Sequence, residues 1–200
     1  MGAAALLRDR SIRVGAIGVA IAAAGVVFLA ASGTRTDTAA GRAATSAPTT
    51  AARPDFAGGS GPLEGTALPA LAGVGLDGRP VSTRPRGRPM VVVVWDTTCQ
   101  CGSIFGAANA VELHSGDVAD VVGVSLDRDI SRAAQANLDA GLLFPSMTEA
   151  TGSVRGLVGA TPRGALLVVD RDGNVVADYR DGVEGGADAL VRDVSELAAS

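Results

Sequence analysis

The chain has 200 residues, which suffices for one compact domain with additional segments and excludes two large domains. It carries 17 basic and 21 acidic residues, a net charge of −4, and every basic residue is Arg. The lack of lysine excludes Schiff-base chemistry and a phosphate-loop lysine, and one His with two Cys excludes a closed four-ligand zinc site within one chain. With 47% hydrophobic but only 3% aromatic residues, we expect an aliphatic core, which suits a sheet flanked by helices.

The N-terminus has the pattern of a membrane anchor. Residues 14–32 are uncharged and follow Arg8, Arg10 and Arg13, and their number approaches the roughly 20 that cross a bilayer. The basic flank predicts residues 1–13 in the cytoplasm and the rest of the chain outside it, on a single-pass transmembrane helix in the cell membrane. A cleaved signal peptide, giving a secreted protein, is the competing interpretation, because residues 30–32 are small.

The composition of residues 33–60 predicts a flexible tether, because this stretch is rich in Thr, Ala, Gly, Ser and Pro and has no hydrophobic period. Residues 61–200 are the expected folded domain. Since three Arg and one Asp precede residue 33, the remaining chain has 14 basic and 20 acidic residues, a net charge of −6. This acidic balance argues against nucleic acid as a partner.

The folded part alternates predicted strands and helices. Residues 90–95 (MVVVVW) form a continuous apolar run, typical of a strand buried on both faces. The other predicted elements are a hairpin-like lead at 70–81, a helix at 104–114, a strand at 118–126, a helix at 131–140 with Ser131 as N-cap and Gly141 past its end, strands at 165–169 and 175–179 joined by an Asp-Gly turn, and a helix at 186–199. Together they predict an α/β sandwich with a mixed central sheet.

Two cysteines follow the first buried strand, where a helix begins. A helix N-terminus presents free N–H groups and a partial positive charge, which stabilise a thiolate. Cys99 is therefore the predicted nucleophile and Cys101 the predicted resolving thiol. The competing interpretation is structural: two small core residues or a static bridge.

Several separated motifs resemble membrane-anchored thioredoxin-like thiol-disulfide oxidoreductases of the TlpA type. The motifs, in chain order, are LPA at 68–70, LDGRPVS at 76–82, RGRP at 86–89, MVVVVWDTTC at 90–99, VGVSLD at 122–127 and GATP at 159–162, the last followed by a strand and an Asp-Gly turn. The resemblance implies a thioredoxin fold, protein thiols or disulfides outside the cytoplasm as partners, and no cofactor or metal. It also implies that Trp95, Thr161 and Pro162 shape the partner groove, with a cis Thr161–Pro162 peptide packed against the sulfurs.

The cysteine spacing departs from that family, which usually has C-x-x-C, and Gly102 stands where the second Cys would be. Residues two apart on a helix point about 200° apart, so a Cys99–Cys101 bridge requires non-helical backbone. We expect such a bridge to be strained and easily reduced. A redox potential at or below about −270 mV, the thioredoxin value, would contradict this expectation.

The usual proton acceptors are also missing. Val93 and Phe105 occupy the positions where relatives carry a carboxylate, and neither can act as a base. Asp96 precedes Cys99 by three residues and is expected to be a solvated loop carboxylate. The charges of residues 127–129 are likewise expected to face water.

Three other functions fit parts of the pattern. Peroxiredoxin-like peroxide reduction would use one reactive Cys, although the usual Pro-x-x-x-Thr-x-x-Cys is incomplete because position 94 is Val. Copper transport would use the soft thiolates, but His114 lies about 20 Å along a helix from Cys101. A redox-inactive binding module on a membrane tether is the third.

Overall fold

The computed structural model describes residues 53–159 and 164–200, which belong to one compact unit, Pro48–Ser200. The predicted cytoplasmic segment, the predicted transmembrane helix and most of the predicted tether lie outside the described residues. Among the helices of the two described ranges, none has the length and apolar character that crossing a membrane requires.

Seven strands and four helices make up the described chain. They are β1 (Ala72–Val74), β2 (Pro80–Ser82), β3 (Met90–Trp95), α1 (Gly102–Ser115), β4 (Asp120–Ser125), α2 (Ile130–Asp139), β5 (Ser146–Thr148), α3 (Ser153–Val158), β6 (Ala165–Val169), β7 (Val175–Tyr179) and α4 (Gly186–Ala199). Strands β1 and β2 form a separate antiparallel pair. The other five form one sheet in the order β5-β4-β3-β6-β7.

The main sheet is mixed, as predicted. Strand β3 is central: it pairs in parallel with β4, which pairs in parallel with β5, and antiparallel with β6, which continues antiparallel to β7. Two βα units thus supply the parallel half and one hairpin the antiparallel half. The carboxyl end of β3 leads directly to the cysteines and α1.

Both faces of the sheet are covered, which explains why β3 reads as an unbroken apolar run. Alternate residues of β3 enter two different clusters: Val91, Val93 and Trp95 join the cluster that includes α1 and α4, whereas Met90, Val92 and Val94 join the cluster that includes α3. Burying each Val side chain contributes on the order of 1.5 kcal/mol or more. The end of β3 is therefore a rigid base for the following loop.

The predicted boundaries differ from the observed ones in several places. Helix α2 is capped by Asp129, whose Oδ1 accepts the N–H groups of Ser131 and Arg132 at 3.0 and 3.1 Å, so the prediction of Ser131 as N-cap was wrong. Strand β4 is shorter than the predicted 118–126. Strand β5 and helix α3 were not predicted, because three and six residues are too short to show a hydrophobic period.

The N-terminal side of the folded part also differs. Phe56 falls within the predicted tether, yet its side chain is buried in the cluster of α1 and α4, and the Gly59 carbonyl accepts the N–H of Asp178 at 2.7 Å. Because a large aromatic ring gains stability on burial, the chain near Phe56 packs on the domain rather than remaining a tether.

Candidate active site

The two cysteines are joined by a disulfide, Cys99–Cys101, whose Cα atoms lie 5.3 Å apart. Both residues precede the first helical residue, Gly102, and Cys101 is the N-cap of α1. A bridge with this spacing was predicted to require non-helical backbone. Both cysteines precede α1, so the backbone between them is not helical. The expected position of the pair, at the junction of strand and helix, is confirmed.

The two sulfur-bearing residues differ in exposure. Cys101 is 2% exposed and belongs to the core cluster, whereas Cys99 is only partly buried and packs against the same cluster, and the intervening Gln100 is exposed. A partner molecule can therefore reach Cys99 more readily than Cys101. The assignment of Cys99 as nucleophile and Cys101 as resolving thiol stays a prediction.

A tight turn leads from β3 to the bridge. The Asp96 carboxylate accepts the N–H of Thr98 at 2.8 Å and its hydroxyl at 2.6 Å, and the Asp96 carbonyl accepts the N–H of Cys99 at 3.2 Å. Asp96 thus organises the turn through local hydrogen bonds of the kind that Asp favours. Its position fixes the backbone of Cys99.

Asp127 holds the same turn from the neighbouring strand. Its carboxylate accepts the Thr97 N–H at 2.9 Å, the Thr97 hydroxyl at 3.0 Å and the Ser125 hydroxyl at 3.1 Å. The expectation that the charges of residues 127–129 face water is therefore wrong for Asp127, which is half-buried, because the end of β4 lies beside the end of β3. Asp127 ties the turn before Cys99 to the central sheet.

Trp95, the last residue of β3, lies in the same core cluster as Cys101. The rings of Trp95 and Phe105 meet edge to face, with centroids 5.9 Å apart and planes at 89°. Trp95 was predicted to line a partner groove. It is only 2% exposed, so its ring lies in the core instead. Within the described residues its Nε1–H has no hydrogen-bond partner. Val93 lies in the same core cluster and Phe105 packs against it, so both act as packing residues.

The predicted groove residues Thr161 and Pro162, with their predicted cis peptide, lie outside the described residues. The chain resumes at Gly164, directly before β6, with a positive φ of 68°. A Cβ atom at this position would lie 2.6 Å from the Cys101 Sγ and 2.7 Å from the Val94 carbonyl oxygen. The backbone at Gly164 therefore touches the buried sulfur of Cys101.

A buried ion pair joins Arg180 to Asp178, the residue of β7 two positions before it. Arg180 donates from Nε and Nη2 to both carboxylate oxygens of Asp178, at 2.6 and 2.8 Å, and from Nη1 to the Val158 carbonyl at 2.8 Å. The Asp178 side chain is 0% exposed and also accepts the Leu63 N–H at 3.1 Å. The two-pronged pairing is the strong form of an Arg–carboxylate contact. It anchors the end of α3 and the N-terminal segment to β7.

Sequence reasoning missed three of these supporting groups. Asp127 follows a buried strand that is adjacent in the sheet to the one before the cysteines, a signal that could have identified it. Gly164 gave no signal, because its closeness to Cys101 is a contact between distant segments. Arg180 and Asp178 are only two residues apart, but their partners Val158 and Leu63 are distant in sequence and gave no signal. The predicted distance of His114 from the cysteines holds, since it lies in the last turn of α1, at the opposite end from Cys101. The residues described include no cluster of three or more His, Cys, Asp or Glu suited to a metal.

Comparison with solved structures identifies the fold. A thiol:disulfide interchange protein of the thioredoxin family from Chlorobium tepidum TLS is 21% identical, with a TM-score of 0.55 over 68% of this chain and 97% of that chain. A thiol:disulfide interchange protein from Bacteroides sp. is 18% identical, with a TM-score of 0.53 over 68% and 91%. A secreted disulfide oxidoreductase from Mycobacterium tuberculosis is 18% identical, with a TM-score of 0.51 over 63% and 95%.

These likenesses show that the described domain has a thioredoxin-like fold, which confirms the predicted fold. No protein-family model and no curated protein sequence matches the chain. At such identities structural likeness establishes architecture, and the activity follows from the chemistry of the site.

Proposed function

We propose that this domain is a thiol-disulfide oxidoreductase that acts through Cys99 and Cys101. The observation that carries the proposal is the bond between a partly exposed sulfur residue and a buried one at the N-terminus of α1. In the dithiol form, the free N–H groups of a helix N-terminus lower the pKa of a nearby thiol and so favour the thiolate. The similarity in fold to thiol:disulfide interchange proteins supports the same chemistry.

The proposed reaction proceeds through a mixed disulfide. The Cys99 thiolate attacks one sulfur of a partner disulfide, which forms a Cys99–partner bond and releases the other partner sulfur as a thiolate. The Cys101 thiolate then attacks the Cys99 sulfur, closes the Cys99–Cys101 bridge and releases the second partner thiolate. Two electrons pass from the domain to the partner, and the reverse sequence oxidises a partner dithiol.

The exchange assay separates this function from its alternatives. We expect the reduced domain to cleave the disulfides of insulin, and both Cys99→Ser and Cys101→Ser to abolish turnover while the proteins remain folded. Consumption of hydrogen peroxide by the domain, without insulin cleavage, would instead establish the peroxidase alternative. If the domain shows neither activity but holds stoichiometric copper after expression, the copper-carrying alternative is established. If it shows neither activity and holds no copper, it is a redox-inactive module.

We propose that the one-residue spacing makes the bridge easy to reduce. The reason is that a bridge between residues this close must be accommodated by the backbone of a single intervening residue, Gln100. Equilibration of the purified domain with glutathione buffers measures its potential. A value well above about −270 mV is the expected result, and a value at or below it contradicts the proposal.

We place the partner's backbone against Thr161 and Pro162, as the family resemblance implies. Gly164, two residues beyond Pro162, touches the Cys101 sulfur, which supports the closeness of this segment to the bridge. Pro162→Ala is expected to slow exchange with insulin more than exchange with glutathione, because only a protein partner would need the groove. Equal slowing of both reactions would contradict a groove role.

We also propose that the domain works outside the cytoplasm, held to the membrane by a transmembrane anchor at residues 14–32 and a flexible tether that follows it. The uncharged segment with its basic flank supports a membrane anchor, and disulfides persist in oxidising compartments. One protein of similar fold is described as secreted. Protease added to intact spheroplasts should digest the domain while it remains with the membrane; a protected domain would contradict the topology, and release into the medium would indicate signal cleavage.

A further inference from the structure

Gly164 lies against the buried sulfur of the bridge. It immediately precedes β6, whose first residue, Ala165, pairs with Val94 of β3. The space that its missing side chain leaves is occupied by Cys101, because a Cβ atom there would lie 2.6 Å from Sγ. Apolar atoms in favourable contact lie about 3.5 to 4.0 Å apart, so this approach would be a severe overlap.

A second glycine of the same connection provides a comparison. Gly159 ends α3 and has a φ of 74°, close to the 68° of Gly164, but a Cβ atom at Gly159 would meet nothing within 4 Å. Both positions therefore have a positive φ, which favours glycine. They differ in that only Gly164 makes room for the Cys101 sulfur.

We infer that Gly164 is a positioning residue that sets the redox equilibrium of the Cys99–Cys101 pair by leaving room for the bridged Cys101 sulfur. The inference rests on the proposed function, since it concerns interconversion of the bridge and the dithiol. In the bridge, the bond to Cys99 fixes the position of the Cys101 sulfur, so the sulfur cannot withdraw from an added side chain. In the dithiol, rotation about the Cα–Cβ bond of Cys101 can move the sulfur away. A side chain at position 164 therefore penalises the bridge more than the dithiol.

The test compares Gly164→Ala with Gly159→Ala in glutathione buffers. Two glutathione molecules reduce the bridge to the dithiol and leave as one glutathione disulfide, so the oxidised fraction gives the equilibrium constant. We expect Gly164→Ala to shift this constant toward the dithiol by tenfold or more, which corresponds to about 30 mV for two electrons. Gly159→Ala should lose thermal stability from its backbone strain but stay within about twofold of the unaltered equilibrium constant.

A background without the sulfur isolates the contact. In Cys101→Ala, the thermal destabilisation caused by Gly164→Ala should be smaller than in the unaltered chain, although the overlap with the Val94 carbonyl remains. The cost of Gly159→Ala should be the same in both backgrounds. Equal costs of Gly164→Ala in the two backgrounds, or equal equilibrium constants for the two glycine variants, would overturn the inference.

A measurement on the unaltered chain covers the case in which Gly164→Ala does not fold. In NMR spectra of the protein labelled at glycine, the amide resonance of Gly164 should move when the bridge is reduced. The amide resonance of Gly159 should move much less. An unmoved Gly164 resonance would overturn the inference. Failure of the unaltered bridge to exchange with glutathione would refute the proposed function instead, so the two failures are distinguishable.

Discussion

Replacing Asp127 with Ala should release the turn that leads to the bridge. The substitution removes the acceptor of three hydrogen bonds, two from Thr97 and one from Ser125. Ser125 is 0% exposed, so its hydroxyl would lose a charged partner that water cannot readily replace. Hydrogen bonds to a charged group contribute about 1.5 to 3 kcal/mol, but Asp127 is half-exposed and the losses are not additive, so we expect about 2 to 3 kcal/mol in total.

Chemical denaturation of the oxidised protein measures this loss, and the thermal midpoint should fall by about 5 to 10 °C for a unit of this size. Asp129→Ala is the matched control two residues away, because Asp129 caps α2 from an exposed position and should cost about 1 kcal/mol. Only Asp127→Ala should also slow the reaction of Cys99 with a disulfide, since only Asp127 holds the preceding turn. Equal stability of the two variants, or equal reaction rates, would refute this reasoning.

Other predictions concern groups that support the fold. Burial, with two acidic neighbours, raises the pKa of Tyr179 from 10.0 to about 12. Because the Tyr179 hydroxyl ionises at a lower pH in the unfolded chain, the free energy of unfolding should decline as the pH rises from 10 to 12. Denaturant titrations of Tyr179→Phe should lack that decline. Burial also raises the pKa of Glu112, which means that the ionised carboxylate is less favourable in the folded than in the unfolded chain. Glu112→Gln should therefore raise the thermal midpoint at pH 7, by an amount that vanishes below pH 4.5, where the carboxyl is protonated in both states. An undiminished gain at low pH would contradict this cause. Arg180→Met should destabilise the domain by about 3 kcal/mol or more in denaturation, because it leaves the buried Asp178 carboxylate without its cation, and Asp178→Asn in the same chain should restore part of the loss.

The sequence predicted the elements that have a strong local pattern. The unbroken apolar run of β3 identified a central strand because both of its faces are covered, and the Asp-Gly turn identified the β6–β7 hairpin, in which Asp170 accepts the N–H groups of Asp172 and Asn174. The cysteines were predicted correctly at the junction of β3 and α1, because the strand and the helix on either side both have clear local patterns. Local signals sufficed wherever the structure depends on local contacts.

Contacts between distant segments could not be predicted in this way. Asp127 and Asp129 look alike in sequence, yet one anchors the turn before Cys99 and the other caps α2, because only the sheet register brings Asp127 beside Thr97. Gly164 lies more than sixty positions from Cys101, and its closeness to the sulfur follows from the antiparallel pairing of β6 with β3. Trp95 was expected in a groove and lies in the core, because its alternation along β3 turns it toward α1.

The most direct test of thiol-disulfide exchange is to trap its covalent intermediate. The reduced Cys101→Ser protein is mixed with a short peptide that contains one disulfide, quenched with acid, digested and examined by mass spectrometry. We predict one peptide fragment attached to Cys99, and no such adduct in Cys99→Ser treated identically. Absence of an adduct at Cys99 in the folded Cys101→Ser protein, or faster attachment to Cys101 in the Cys99→Ser protein, would contradict it.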